Sequence, residues 1–126
     1  MRCAAMKNNP AERLRAYRYG LWAEAWVVLF LSLKGYRLIA RRWKTPVGEI
    51  DLLMRKNKTV AVIEVKYRAL QNHALEAVSP RQLERLQRAA AYAQSRFPRL
   101  APLTWRFDMV ALSPWRWPCH LTNISL

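Results

Sequence analysis

The chain has 126 residues, 52% of them apolar, and a net charge of +14 from 22 Lys and Arg against 8 Asp and Glu. This length fits one domain able to bury roughly two thirds of its unfolded surface, and the apolar content excludes a disordered chain. Sixteen of the basic residues are Arg, whose planar fork suits phosphate, and the charge exceeds the ~2–8 that solubility asks for, so a polyanionic partner is expected, nucleic acid ahead of an anionic membrane.

Residues 1–10 read as a loose basic lead-in and 11–126 as a single domain. Helix formers run from Ala11 to about Leu33, with a break expected near Gly20, and Lys34-Gly35 supplies the stop. Within that helix LWAEAWVVLFLSL imitates a membrane or export signal. Its uninterrupted apolar part, Ala25–Leu31, falls short of the ~20 residues a span requires. Lys34-Gly35-Tyr36-Arg37 follows in place of a small-residue cleavage site. The segment reads as a buried amphipathic helix, and the protein as soluble and without a membrane partner.

Tyr36–Trp43 predicts a first strand, and Thr45-Pro46-Val47-Gly48 a turn. Glu49–Met54 and Val60–Tyr67 predict two strands around the polar RKNKT turn. Ser79-Pro80-Arg81-Gln82 opens a second helix, with Ser79 as N-cap, Pro80 in the first turn and Gln82 closing a capping box. Arg81, Arg85 and Arg88 lie along one side of that helix. Thr104–Leu112 predicts another strand and His120–Ile124 a weaker one. The fold class is α/β, a mixed central sheet flanked by helices.

Two cysteines, Cys3 and Cys119, make no disulfide framework and no thiolate cage; with two histidines they argue against structural zinc. They are compatible with a reducing cytoplasm, where the protein is placed.

Three of the eight acids, Glu49, Asp51 and Glu64, fall in the apolar stretch GEIDLLMRKNKTVAVIEVKYR. Side chains alternate along strands, so Glu49, Asp51 and Leu53 share one face, as do Val60, Val62, Glu64 and Lys66. A two-residue Asn57-Lys58 loop sets Lys56 opposite Thr59, Leu53 opposite Val62, Asp51 opposite Glu64 and Glu49 opposite Lys66. A slip by two residues keeps the acids on a common face; a slip by one separates them. Opposed carboxylates, with Cβ atoms ~4.5–5.5 Å apart, destabilise a hairpin. They share a proton or bind a cation, and hard oxygen ligands suit Mg²⁺ or Mn²⁺. A lysine two residues past Glu64 can hold a water or stabilise charge on a phosphate. The alternative is an exposed face whose acids pair with nearby Arg and Lys.

The spacing Asp51-x12-Glu64-Val65-Lys66 resembles the PD-(D/E)xK signature of restriction-endonuclease-like proteins. The segments KGYRLIARRWKTPVGEIDLL, VIEVKYR, AVSPRQLERLQRAAAYA and WRFDMVAL resemble, in order, the YraN family of small bacterial proteins. The resemblance runs from about Gly20 to Asn123. It implies a restriction-endonuclease-like core similar to that of archaeal Holliday-junction resolvases, and metal-dependent cleavage of a phosphodiester. Carried over by position, it implies Glu24, Asp51, Glu64 and Lys66 as catalytic residues. Asp51, Glu64 and the Val65 carbonyl would hold the metal, and Glu24 a second metal or the attacking water. Glu49 and Gln82 are accessory candidates. Ala23, Arg42 and Tyr67 depart from the Gly, Asn and Thr that the family usually has at those positions.

Arg41, Arg42, Lys44, Arg68, Arg81, Arg85 and Arg88 are the candidates for gripping a nucleic-acid backbone, DNA ahead of RNA, and a homodimer is compatible with this reading. Several residues keep structural alternatives: an N-cap or Arg partner for Glu24, the cap for Gln82, an Arg106 or turn partner for Asp108. Core packing is favoured over base stacking for Trp22, Trp26 and Trp105, whereas Trp115-Arg116-Trp117 suits stacking. His73, in a polar loop, is a weak general-base candidate. The function read here is a Mg²⁺-dependent endonuclease, set against a non-catalytic nucleic-acid-binding module and a structural or interaction protein.

Overall fold

Where apolar residues recur every three or four positions the chain is helical, and where they alternate or run together it is extended. The computed structural model describes residues 10–67, 79–113 and 116–124, with backbone alone for 10–20. Helix α1 (Pro10–Leu33) leads into strands β1 (Arg37–Thr45), β2 (Gly48–Lys56) and β3 (Thr59–Tyr67). Helix α2 (Pro80–Arg96) precedes β4 (Thr104–Leu112) and the short β5 (Cys119–Leu121). The five strands lie in chain order in one sheet. β3 and β4 pair in parallel, with α2 in the connection between them, and the other neighbours are antiparallel. The sheet is therefore mixed, and the fold is α/β.

α1 covers one face of the sheet, where Val27 and Leu31 pack with Leu52, Met54, Ile63 and Val110. α2 covers the other, placing Leu86, Ala89, Ala90 and Ala93 against Leu53, Val60 and Val62. Ser79 caps α2 as its residue type predicts, its Oγ accepting the Gln82 N–H at 3.1 Å, and Pro80 follows. α1 stops at Gly35, whose φ of 97° favours glycine. The Tyr36 and Gly35 N–H groups bond back to the Leu31 and Ser32 carbonyls, closing the helix as a Schellman turn.

The structure corrects several expectations. α1 passes Gly20 without a break; a single glycine costs about 1 kcal/mol, which the rest of a 24-residue helix outweighs. β1 begins one residue later and ends two later than expected, and β5 is shorter. Trp22 is not in the core but 75% exposed. Trp26 and Trp105 are half-buried against the two core clusters. Arg68, His73, Trp115 and residues 1–9 lie outside the described residues. Among the described residues no helix is long and apolar enough to cross a membrane.

At the far edge of the sheet the fully buried Asp108 is held by four hydrogen bonds. Arg106 donates two, at 2.8 and 2.7 Å, and the Asn123 N–H another at 3.0 Å. His120 Nε2 lies 2.8 Å away, and Arg106 also reaches the Tyr36 hydroxyl at 2.7 Å. Burial alone would raise the Asp108 pKa, but the bonds from His120, Arg106 and Asn123 outweigh it and hold the group below the ordinary carboxylate value. This is the Arg106 partner that the sequence offered as the structural alternative.

Asp108→Ala leaves Arg106 and His120 without their common acceptor and should destabilise the protein by ~3–5 kcal/mol in urea unfolding at pH 7. Because the folded-state pKa is depressed, the stabilisation is present above the unfolded value of ~3.9 and is lost as pH falls through the folded one. The gap between parent and variant should therefore close on acidification. A gap unchanged down to pH 2 would contradict the ionic account.

Candidate functional site

The β2–β3 ladder has the predicted register from Lys56↔Thr59 through Leu53↔Val62 and ends at Leu52↔Ile63. Asp51 and Glu64 come next, and there the backbone pairing stops. The Val65 N–H, which would continue the ladder, instead donates to Asp51 Oδ2 at 3.0 Å. The carboxylate takes over a bond that the backbone gives up. Ile50 and Leu53 both join the α2-side core, three residues apart, so strict alternation also fails at Asp51. The expected pairing of Glu49 with Lys66 is correspondingly absent from the ladder; Glu49 pairs in register with Lys44 of β1 instead.

Glu64 is 9% exposed. Gln82 Nε2 donates to its Oε2 at 2.7 Å, and Lys66 Nζ lies 3.0 Å from the same oxygen. Lys66 shares the face of Glu64, as the two-residue spacing requires. Gln82 does not complete a capping box on Ser79. Its side chain turns inward to the acid, because the buried carboxylate is short of donors while the helix end is reached by water. Both bonds fall on Oε2, and Asp51 is bonded through Oδ2. Among the described residues, one oxygen of each acid, Asp51 Oδ1 and Glu64 Oε1, accepts no hydrogen bond.

Burial and the neighbouring Glu64 charge push the Asp51 pKa up to about 7, against the pull of the Val65 N–H. Glu24 and Glu49 add smaller repulsions in the same direction. A cleft of ≈ 210 Å³ opens over the two acids, lined by Gly48, Glu49, Gln82, Arg85 and Leu86 as well. Gly48 has a φ of 150°, and a Cβ there would sit 3.3 Å from Arg85 Cγ. Glycine at the turn thus lets the Arg85 stem lie across the cleft edge, a role the sequence signalled only as turn chemistry.

Glu24 is buried but does not line this cleft. Arg42 Nη1 meets its Oε1 at 3.1 Å, the arginine partner foreseen as the plain alternative. Burial nevertheless raises the Glu24 pKa against the lowering by Arg42 and Arg41. Arg42 has a φ of 49°, in the left-handed region where Asn is the easier residue. Arg41 donates to the Leu21 carbonyl at 3.1 Å, and Lys44 is exposed. Arg88 spans one helical turn to Glu84 at 3.2 Å, and Arg81 and Arg85 are exposed at the start of α2.

Among the described residues no three His, Cys, Asp or Glu side chains converge as a cage. Mg²⁺ seldom uses one; one or two carboxylates, with waters and substrate phosphates completing an octahedron, are its usual protein share. Asp51 and Glu64, each with an oxygen that accepts no hydrogen bond among the described residues and each repelled by the other, fit that share.

The profile of the family described as "Uncharacterised protein family UPF0102" matches residues 23–112. A UPF0102 protein of Parvibaculum lavamentivorans is 55% identical over 95% of this chain and 90% of its own length. Another, of Chelativorans sp., is 50% identical over 89% of this chain and 90% of its own. A third, of Mesorhizobium japonicum, is 44% identical over 94% and 95%. The chain belongs to the UPF0102 (YraN) family, as the resemblance of its motifs implied, and its mixed-sheet fold is consistent with a restriction-endonuclease-like core.

With a folded-state pKa of about 7 for Asp51 against ~3.9 unfolded, the folded protein keeps this proton to higher pH than the unfolded chain. Stability should then fall as pH rises from ~4 to ~7, by up to ~1.4 kcal/mol per pH unit. Asp51→Asn should flatten that slope and be the more stable protein at pH 8. Excess Mg²⁺, by binding the folded parent alone, should narrow the difference. Equal pH slopes for parent and variant, with or without Mg²⁺, would mark Asp51 as an ordinary surface acid.

Proposed function

We propose that this UPF0102 protein binds nucleic acid and hydrolyses its phosphodiester bonds as a Mg²⁺-dependent endonuclease, with branched DNA as the first substrate class to test. The observation that carries the reading is the Asp51–Glu64 pair at the opened end of the ladder, with Lys66 beside it, in a chain of net charge +14. Asp51, Glu64 and the Val65 carbonyl are the groups that would hold the metal. A bound Mg²⁺ supplies Lewis-acid polarisation of the phosphate and a lowered pKa for its water.

The chain's own side chains do the rest. Arg85, at the cleft edge, and Arg81, one turn earlier on α2, draw the polyanion over the acids and fix its position without reading its sequence. Gln82 and Lys66 hold Glu64 through Oε2, which orients its other oxygen. The Lys66 ammonium, ion-paired to Glu64, would hold the attacking water or offset negative charge developing on the phosphate. Hydrolysis joins the water oxygen to phosphorus and breaks the bond to the leaving sugar oxygen, which takes a proton. Glu24, held by Arg42, adds negative potential from the α1 side.

A second reading has its own observation. Lys66 is already ion-paired to Glu64, so the acids, Gln82 and Lys66 also make sense as a buried polar network in a non-catalytic binding module.

Lys66→Ala separates the two. In an endonuclease it should slow Mg²⁺- or Mn²⁺-dependent cleavage by ~100–1000-fold. Affinity should hardly change, with 21 of the 22 basic residues remaining, and should decline with log salt by ~0.7–0.9 per phosphate contact. No cleavage by the parent across branched and single-stranded DNA and RNA, with binding intact, would leave the binding module. Salt-independent or absent binding would contradict both.

A further inference from the structure

A helix that lies on the surface of a sheet is expected to be polar on its outer side, and the stretch of α1 from Leu21 to Leu33 is not. From Leu21 to Leu33 its sequence carries one charge, Glu24, and that residue is buried against Arg42. The inward stripe is Ala23, Val27 and Leu31. The outward side shows Trp22 at 75% exposure, Leu29 at 53% and Leu33 at 78%, with Ala25 and Ser32 between them. Trp26 is half-buried and continues the surface onto Trp117, 5.8 Å away between ring centroids and itself 72% exposed. These side chains present on the order of 500 Å² of apolar surface, at the upper end of what a monomer normally leaves uncovered.

The spacing of Trp22, Trp26, Leu29 and Leu33 is four, three, four: the alternation of a and d positions along a coiled-coil seam. It is also self-complementary. Rotation about a two-fold axis midway between Trp26 and Leu29 sets Trp22 against the partner's Leu33 and Trp26 against the partner's Leu29. Each indole then meets a leucine, and the small Ala25 and Ser32 leave room for the approach. Two such faces bring together ~1,000 Å², the lower bound for a specific interface. A basic or acidic partner would find nothing to pair with on this strip. A second copy, uncharged at the same positions, matches it.

We infer that the outer face of α1 is a homodimer interface, two copies pairing antiparallel along Trp22, Trp26, Leu29 and Leu33. The inference is independent of any nuclease activity. The cleft over Asp51 and Glu64 lies on the α2 side of the sheet, so the pairing leaves both clefts open on opposite outer faces. Because each copy carries +14, salt should strengthen the dimer by screening repulsion, the opposite of its effect on nucleic-acid binding.

The test is sedimentation equilibrium of the full chain over a hundredfold range of concentration at low and high salt. The parent should sediment at twice the chain mass, with a dissociation constant that falls as salt rises. Leu33→Glu and, separately, Trp22→Glu should sediment as monomers with the parent's circular-dichroism spectrum; both side chains are exposed, so the fold tolerates them. Mixing Trp22→Cys and Leu33→Cys chains, in a background with Cys3 and Cys119 replaced by serine, should give a cross-linked heterodimer under mild oxidation. A parent that stays monomeric overturns the inference, as does a dimer indifferent to both Glu variants. A monomer that binds anionic vesicles through Trp22 and Leu33 overturns it in favour of a membrane surface.

Discussion

Two carboxylates at the same end of adjacent strands, beside an apolar core, are a cost that the rest of this structure is arranged around. Asp51 and Glu64 cannot both be charged, dry and unpaired. The fold answers by releasing the β2–β3 ladder at that point, so that a backbone N–H serves Asp51, and by turning Gln82 and Lys66 onto Glu64. What remains uncompensated among the described residues is one oxygen on each acid, together with the repulsion between them. That residue of unfavourable energy is what a cation would remove. A cation held by two carboxylates, waters and substrate phosphates would need no closed ligand cage, and the described residues form none.

Much of this was legible in the sequence because it depends on short-range rules. The period-two pattern and the two-residue Asn57-Lys58 loop define the hairpin register, and register alone brings Asp51 near Glu64. Asn57 takes the left-handed conformation that such a loop needs, with a φ of 55°. Ser79 and Pro80 mark the start of α2 because a cap is satisfied by its own next turn. Failures come where a side chain chooses between two partners far apart in sequence. Gln82 could close a capping box or reach Glu64, 18 positions away, and only the fold shows that the second acceptor is the drier one. Arg42 reads equally well as a phosphate ligand or as the partner of Glu24, until the helix is laid over β1. Strict alternation predicts Glu49 opposite Lys66; it does not foresee that the ladder ends at Leu52↔Ile63, before the two acids meet.

The two faces of the sheet divide the work. On the α2 face the cleft, the acids and Arg85 gather where β2 and β3 part. On the α1 face the Arg106–Asp108–His120 network is a fully satisfied polar cluster that ties β5 and the loop after it to β4. Such a cluster is worth keeping for rigidity, and it needs no ligand. Beyond it the Leu21–Leu33 stretch of α1 turns an uncharged side outward, and Trp22 is misread from sequence because a stretch apolar all round looks like a buried one. Its burial, if a second copy supplies it, lies outside the single chain that the sequence describes.

The central claim is that Asp51 and Glu64 form a strained pair that a divalent cation relaxes, and the Asp51 carboxyl reports it directly. Its pKa can be followed by ¹³C NMR of side-chain carboxyl carbons, assigned against Asp51→Asn, through pH titrations with and without Mg²⁺. The account predicts a midpoint near 7 without the cation and a shift to well below that value when Mg²⁺ is present. A midpoint close to the ordinary aspartate value of ~3.9, unmoved by millimolar Mg²⁺ or Mn²⁺, would contradict it.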